Sequence, residues 1–201
     1  CFSFHPRKVI TTGEGGMITT ADAAIHEKIR MWRQHGMDLS SDERHGESGD
    51  KNETYVNTAG NCRMTDLQAA VGIEQLARLD EIIRRRRAIA ECYIEGMTEI
   101  SGLTPPRDPE YARSNHQSFV VRLDDSSQVS FFRKSLLDKG IDTRPGIMCA
   151  HLEPPYRGAW PASCLPKSEA ATASSVILPL YPMMEDAIVE RVIDAVRFAM
   201  A

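Results

Sequence analysis

The chain is 201 residues long, 42% apolar and 26% charged, the proportions of an ordinary globular chain with length enough for one or two hydrophobic cores. Its net charge of −4 argues against a nucleic-acid surface, which needs a basic excess to displace counterions from phosphates. The composition suggests neither a disordered nor a membrane class.

In chain order, residues 9–12 and 17–20 are two short β-branched, apolar runs around Gly13, Glu14, Gly15 and Gly16, which predicts a tight hairpin. Lys8 enters that ribbon. A lysine held there can be kept partly desolvated, which favours the neutral, nucleophilic amine needed for Schiff-base formation. Spacing alone favours the plainer reading, a surface lysine beside a turn. A helix is expected over residues 21–32. A polar stretch over residues 34–60 follows, with its most charged run at 40–52, and reads as a loop or lid.

Thr65 with Gln68 three residues on makes a capping box. Leu67, Val71, Leu76, Leu79, Ile82 or Ile83, Ile89, Tyr93 and Met97 then recur at roughly helical spacing. The pattern predicts one amphipathic core helix running to about Met97, a rod of roughly 50 Å. Four consecutive arginines, Arg84 to Arg87, point all round such a helix and read as solvated side chains with scattered salt bridges. Gly102, Pro105, Pro106 and Pro109 mark a connection, so the domains are drawn as residues 1–100 and 101–201.

In the second domain, residues 117–123 read as a strand and 127–139 as a helix closed by Gly140. Strands at 141–144 and 176–180 follow, then a terminal helix over 185–200 with Ile188, Val192, Ile193 and Val196 inward. Strands alternating with helices give an α/β fold class, or an α+β sandwich with the helices on one sheet face.

Five cysteines without a CxxC pair point to reduced thiols and a cytoplasmic setting. Six histidines lack zinc-ligand spacing, so no metal is assigned. A turn carboxylate such as Glu14 reads as structural, and the glycine-rich turn lacks the strand-to-helix context of a nucleotide loop.

Three ordered blocks carry a resemblance. They are Ser3-Phe4-His5-Pro6-Arg7-Lys8 with Thr12-Gly13-Glu14-Gly15-Gly16-Met17, then Gly60-Asn61-Cys62-Arg63-Met64-Thr65-Asp66-Leu67-Gln68-Ala69-Ala70. The third is Gly140-Ile141-Asp142-Thr143-Arg144-Pro145-Gly146 with His151 and Leu178-Pro179-Leu180-Tyr181-Pro182. Together the chain resembles the DegT/DnrJ-type sugar aminotransferases, fold type I enzymes that use pyridoxal 5'-phosphate (PLP). Opening at Cys1 and reaching the lysine almost at once, it is expected to be the C-terminal half of such an enzyme: the end of the large domain plus the small α/β domain.

The resemblance implies roles. Lys8 would bind PLP covalently and serve as acid and base, Ser3 would hydrogen-bond the cofactor phosphate, and Asn61 would reach the phosphate of a neighbouring subunit's cofactor. Each site would then be composite and the protein a homodimer. Arg63 would meet an anionic group of the amino-acid donor or of a nucleotide-sugar substrate, with an interface salt bridge as its alternative. His5 and His151 would lie near the substrate, although a lone histidine is as readily structural. His35 is open in the same way. Cys62 departs from the family's tyrosine and puts the shape of that pocket in question.

The function implied is amino transfer from glutamate to a nucleotide-linked keto sugar, for a polysaccharide or a secondary metabolite. A cyclitol aminotransferase, a PLP-dependent sugar dehydratase and a non-catalytic relative are the alternatives. Lys8 disfavours those dehydratases that carry histidine in its place.

Overall fold

The computed structural model of the chain describes residues 1–38, 54–161 and 164–201. The polar run at 40–52 lies outside the described residues. Two compact units emerge, Cys1–Leu79 and Asp80–Ala201.

In the first unit, β1 (Phe2–Ser3) pairs antiparallel with β2 (Gly16–Met17), Phe2 opposite Met17 and Ser3 opposite Gly16. The expected hairpin between residues 9–12 and 17–20 does not form. Thr11 and Thr12 instead fold back on Phe4: its carbonyl accepts from Thr11 Oγ1 at 2.8 Å and from Thr12 N at 3.1 Å. Thr12 N is thereby lost to a strand ladder with residues 17–20. Gly16 is required where β1 crosses, because a Cβ there would sit 2.7 Å from the Phe2 carbonyl oxygen.

Helix α1 (Ala23–Trp32) starts where Asp22 Oδ1 accepts from Ala24 N and Ile25 N, a side-chain cap that satisfies two otherwise orphaned donors. Beyond it, Cys62 N donates to the Arg33 carbonyl at 2.8 Å and His35 N to the Gly60 carbonyl at 2.9 Å. A bridge between Gln34 and Asn61 completes this pairing.

The capping box at Thr65 and Gln68 is present and opens α2 (Asp66–Ala77). The expected single rod is two helices. Arg78, at φ −97° and ψ 1°, leaves the helical basin, and Asp80 and Glu81 supply the acidic first turn of α3 (Leu79–Met97), which suits a fresh helix N-terminus. The apolar stripe divides with it. Leu67, Val71, Ile73 and Leu76 on α2 are exposed, whereas Ile82, Ile89, Tyr93 and Met97 on α3 are buried.

The second unit is built on a four-stranded sheet in the order β3 (Leu103–Thr104), β4 (Phe119–Leu123), β6 (Ser175–Leu178), β5 (Arg144–Pro145). Every pairing is antiparallel. Phe119, Val121 and Leu123 alternate inward along β4, as one buried sheet face demands. They join one core with Ile89, Tyr93 and Met97 of α3, Phe132 and Leu136 of α4 (Val129–Asp138), and Val189, Val192 and Val196 of α6 (Asp186–Met200). This shared core is why the units part at Leu79 and Asp80, ahead of the proline-rich connection at 101. Ile188, expected inward, is at the surface, and Val189 takes the buried place. Helix α5 (Pro166–Ser174) buries no residue and was absent from the sequence reading, since its alanine- and serine-rich face has no apolar period.

Arg84 is exposed, as expected, but the other three arginines are not simply solvated. Arg86 is buried and its Nη1 donates to the carbonyls of His116 (3.1 Å), Gln117 (3.4 Å) and Leu180 (3.1 Å). Arg87 Nε donates to the Ser114 carbonyl at 2.8 Å. Arg85 Nη2 reaches the Met184 carbonyl and pairs with Asp186 at 2.7 Å. One turn of α3 thus gathers loops from across this unit. Desolvation pulls the Arg86 guanidinium below its ordinary range.

Much of the third sequence block is structural. At the end of α4, Gly140 takes φ 75°, Gly140 N donates to Leu137 O and Ile141 N to Leu136 O. This is a Schellman cap whose accompanying apolar pair is Ile141 and Leu136, both buried. Tyr93 OH donates to the Pro179 carbonyl at 2.9 Å, and its ring meets Phe119 edge-on at 5.0 Å. Burial raises the Tyr93 phenol above its usual range, and Tyr181 adds to the shift.

Candidate active site

In the first unit, the lysine block is a closed loop. Lys8 N donates to the His5 carbonyl at 2.9 Å, a turn with Pro6 at the position its fixed φ favours. Phe4 N donates to the Gly15 carbonyl, so the start of the loop is fixed to the glycine-rich turn. Lys8 is half-buried within it.

Ser3 stands at the end of β1, exposed, and its Oγ accepts from His5 N at 3.5 Å. The His5 ring accepts from Arg7 N through Nδ1 at 3.2 Å, and its Nε2 lies 3.9 Å from Glu14 Oε1. Both of those side chains are substantially exposed, so the pairing is weak.

Asn61 and Arg63 are joined by an Asx-type bond, Arg63 N donating to Asn61 Oδ1 at 3.2 Å. Both are exposed, as is Cys62 between them. Their register comes from the pairing of residues 60–62 with residues 33–35. His35 sits there in the left-handed region at φ 64°, and it is exposed.

Sequence reasoning recognised Gln68 only as a cap. It does more: Gln68 Nε2 donates to the Glu14 carbonyl at 2.9 Å while its Oε1 accepts from Thr65 N at 3.0 Å. Thr12, buried beside it, closes the turn by donating from Oγ1 to the same carbonyl at 2.8 Å. The first unit therefore brings the lysine block and the asparagine block together through the start of α2.

His151 belongs to the second unit, on a short turn, Ala150–Leu152, with its Nε2 2.9 Å from Glu169 Oε1. It lines an open cavity of about 1010 Å³ whose walls include Val120, Ile147, Tyr156, Trp160 and Thr172. Size and apolar character suit a ligand-sized guest. Glu169 carried no signal in the sequence, since the pairing spans two elements.

The cysteines all carry free thiols. Among the described residues, no cluster of His, Cys, Asp and Glu is arranged to hold a metal, and no helix is long and apolar enough to cross a membrane.

Comparison with known proteins places these features. The spore coat polysaccharide biosynthesis protein SpsC of Bacillus subtilis is 32% identical over 203 residues, covering 98% of this chain and 52% of its own length. The aminotransferase TlmJ of Streptoalloteichus hindustanus is 30% identical with a TM-score of 0.86, over 98% of this chain and 50% of that one. DesV of S. venezuelae, solved in complex with a ketimine intermediate, is 31% identical with a TM-score of 0.86, over 100% of this chain and 51% of its own. The chain thus spans about half the length of the relatives it matches, as expected of a C-terminal half. With the family model matching residues 1–197, the chain belongs to the DegT/DnrJ/EryC1/StrS aminotransferase family.

Proposed function

We propose that this chain carries the lysine half of a PLP-dependent enzyme that moves an amino group from glutamate to a nucleotide-linked keto sugar, in aminosugar, polysaccharide or secondary-metabolite synthesis. The observation that carries the reading is the closed loop around half-buried Lys8, braced on α2 through Gln68 and Glu14. A primary amine carried on a backbone held in place is what covalent carbonyl chemistry needs.

The donor set fits the cofactor. A primary amine at Lys8 suits its aldehyde, and the hydroxyl of Ser3 and the amide of Asn61, both exposed, suit its phosphate. Bound there, the cofactor would supply the electron sink for amino-group exchange. Lys8 Nζ, once displaced by the donor amine, would carry the proton between the two carbons concerned, first as base and then as acid. Arg63 would orient an anionic group of donor or nucleotide, and His5 and His151 would contact the substrate. Asn61 would serve the cofactor of a second copy, making the protein a homodimer with composite sites. The first unit would be the end of a large cofactor domain and the second a small domain, working in the cytoplasm.

The likeness to SpsC, a spore coat polysaccharide biosynthesis protein, and to TlmJ, an aminotransferase, supports this class of reaction. The test is to incubate the protein with PLP, glutamate and a panel of nucleotide-linked keto sugars and follow 2-oxoglutarate release. Sugar-dependent release that Lys8→Ala abolishes is expected. Turnover by Lys8→Ala at the normal rate would refute the assignment.

A further inference from the structure

We infer that Glu169 is a positioning residue for His151: its carboxylate fixes the proton on His151 Nε2 and holds the imidazole in the wall of the second unit's cavity. This rests on the reading of His151 as a substrate contact and adds the group that would orient it.

The geometry is local and mutual. His151 Nε2 and Glu169 Oε1 are 2.9 Å apart, with the histidine side chain 8% exposed and the glutamate 23%. An ionised carboxylate only accepts, so the proton of this bond sits on Nε2. In the neutral ring Nδ1 is then an acceptor, which suits a hydroxyl donor of a sugar.

Helix α5 supplies a second clamp one turn on. Thr172, three residues after Glu169 and so on the same helix face, donates from Oγ1 to the Ile147 carbonyl at 2.8 Å and contacts Cys149 Sγ at 3.0 Å. Just before this segment, Arg144 and Pro145 are paired with Ile177 and Val176 of β6, and Gly146 N donates to the Ser175 carbonyl. The chain from 144 to 151 is therefore pinned in sequence to β6, to Thr172 and to Glu169. That series gives α5, which contributes nothing to the core, a purpose: it fixes a wall of the cavity.

The test reads the histidine directly. In ¹⁵N-histidine-labelled protein, with the His151 signals assigned by His151→Gln, long-range ¹H–¹⁵N spectra should show Nε2 protonated and Nδ1 bare. Glu169→Met, close in size and without an acceptor, should give mixed tautomers and a roughly tenfold higher KM for the sugar, with kcat changed less. Glu169→Gln, which keeps an acceptor, should recover much of that KM. If Glu169→Met does not fold, Glu169→Gln is compared with the parent, and an upfield move of the His151 Nε2 proton is expected from loss of the charged acceptor. An unchanged tautomer in Glu169→Met, or an unmoved proton in Glu169→Gln, overturns the inference. Tautomer control by Glu169 in a protein without amino transfer would uphold the pairing and reject the proposed function instead.

Discussion

Gln68 Nε2 donates to the Glu14 carbonyl oxygen at 2.9 Å, joining residues 54 apart in the chain. The same amide's oxygen caps α2 through Thr65 N. One side chain therefore starts a helix and holds the glycine-rich turn that closes the Lys8 loop. Gln68→Glu separates the two tasks, because a carboxylate keeps the cap and loses the donor. A loss of about 1 kcal/mol is expected for Gln68→Glu and about 2 kcal/mol for Gln68→Ala, both measured by urea denaturation. Equal stability of all three proteins would rule out the strut.

Gly16 lies under the Phe2 carbonyl with no room for a methyl group. Gly16→Ala must push β1 away, at a cost of about 1–3 kcal/mol, and Ser3 moves with it. Thermal unfolding should show the loss. An unchanged midpoint would mean that the strand pair is looser than described.

Arg86 Nη1 donates to three separate carbonyls at once, two from the segment around His116 and one from Leu180. Arg86→Met keeps the apolar stem and strands one buried and two part-buried acceptors, so a loss of about 3 kcal/mol is expected. Arg86→Lys should recover only part, since a single ammonium cannot reproduce the planar fork. Chemical denaturation of the three proteins decides it.

His116 sets a pH dependence. Its pKa is lowered, chiefly by burial, with Arg87 acting in the same direction and Asp108 and Glu91 opposing. Below an unfolded pKa of about 6.5 the unfolded chain takes up a proton that the folded chain resists, so stability falls as pH drops through that value and levels once the folded histidine titrates. Above it both states are neutral and the contribution is flat. His116→Asn, whose side chain tolerates the observed φ of 46°, should remove that part of the acid sensitivity in urea midpoints taken at stepped pH. The same pH slope in the variant would assign it elsewhere.

The sequence revealed most where a signal was local. The Thr65–Gln68 capping box, the closure of α4 at Gly140 and the strand β4 are each written in a few neighbouring residues and each stands in the structure. The misreadings are tertiary. Nothing in the β-branched run at 9–12 says that its threonines prefer the Phe4 carbonyl to a hairpin partner. The helical period that continues through Arg78 conceals a break in the helix. Arg85, Arg86 and Arg87 look like surface charge until carbonyls from distant loops are brought beneath them. Among the candidate residues, the family blocks name Lys8, Ser3, Asn61 and His151, whereas the bonds that Phe4, Thr12 and Gln68 make to the glycine-rich turn, and Glu169 to His151, become visible only through contacts made in space.

The most direct test of the central claim is to incubate the protein with PLP, reduce with borohydride and map the adduct by peptide mass spectrometry, with Lys8→Ala alongside. The account predicts a reduced pyridoxyl phosphate on the peptide containing Lys8, and its disappearance in Lys8→Ala. An adduct confined to other lysines, or none at all, would contradict it.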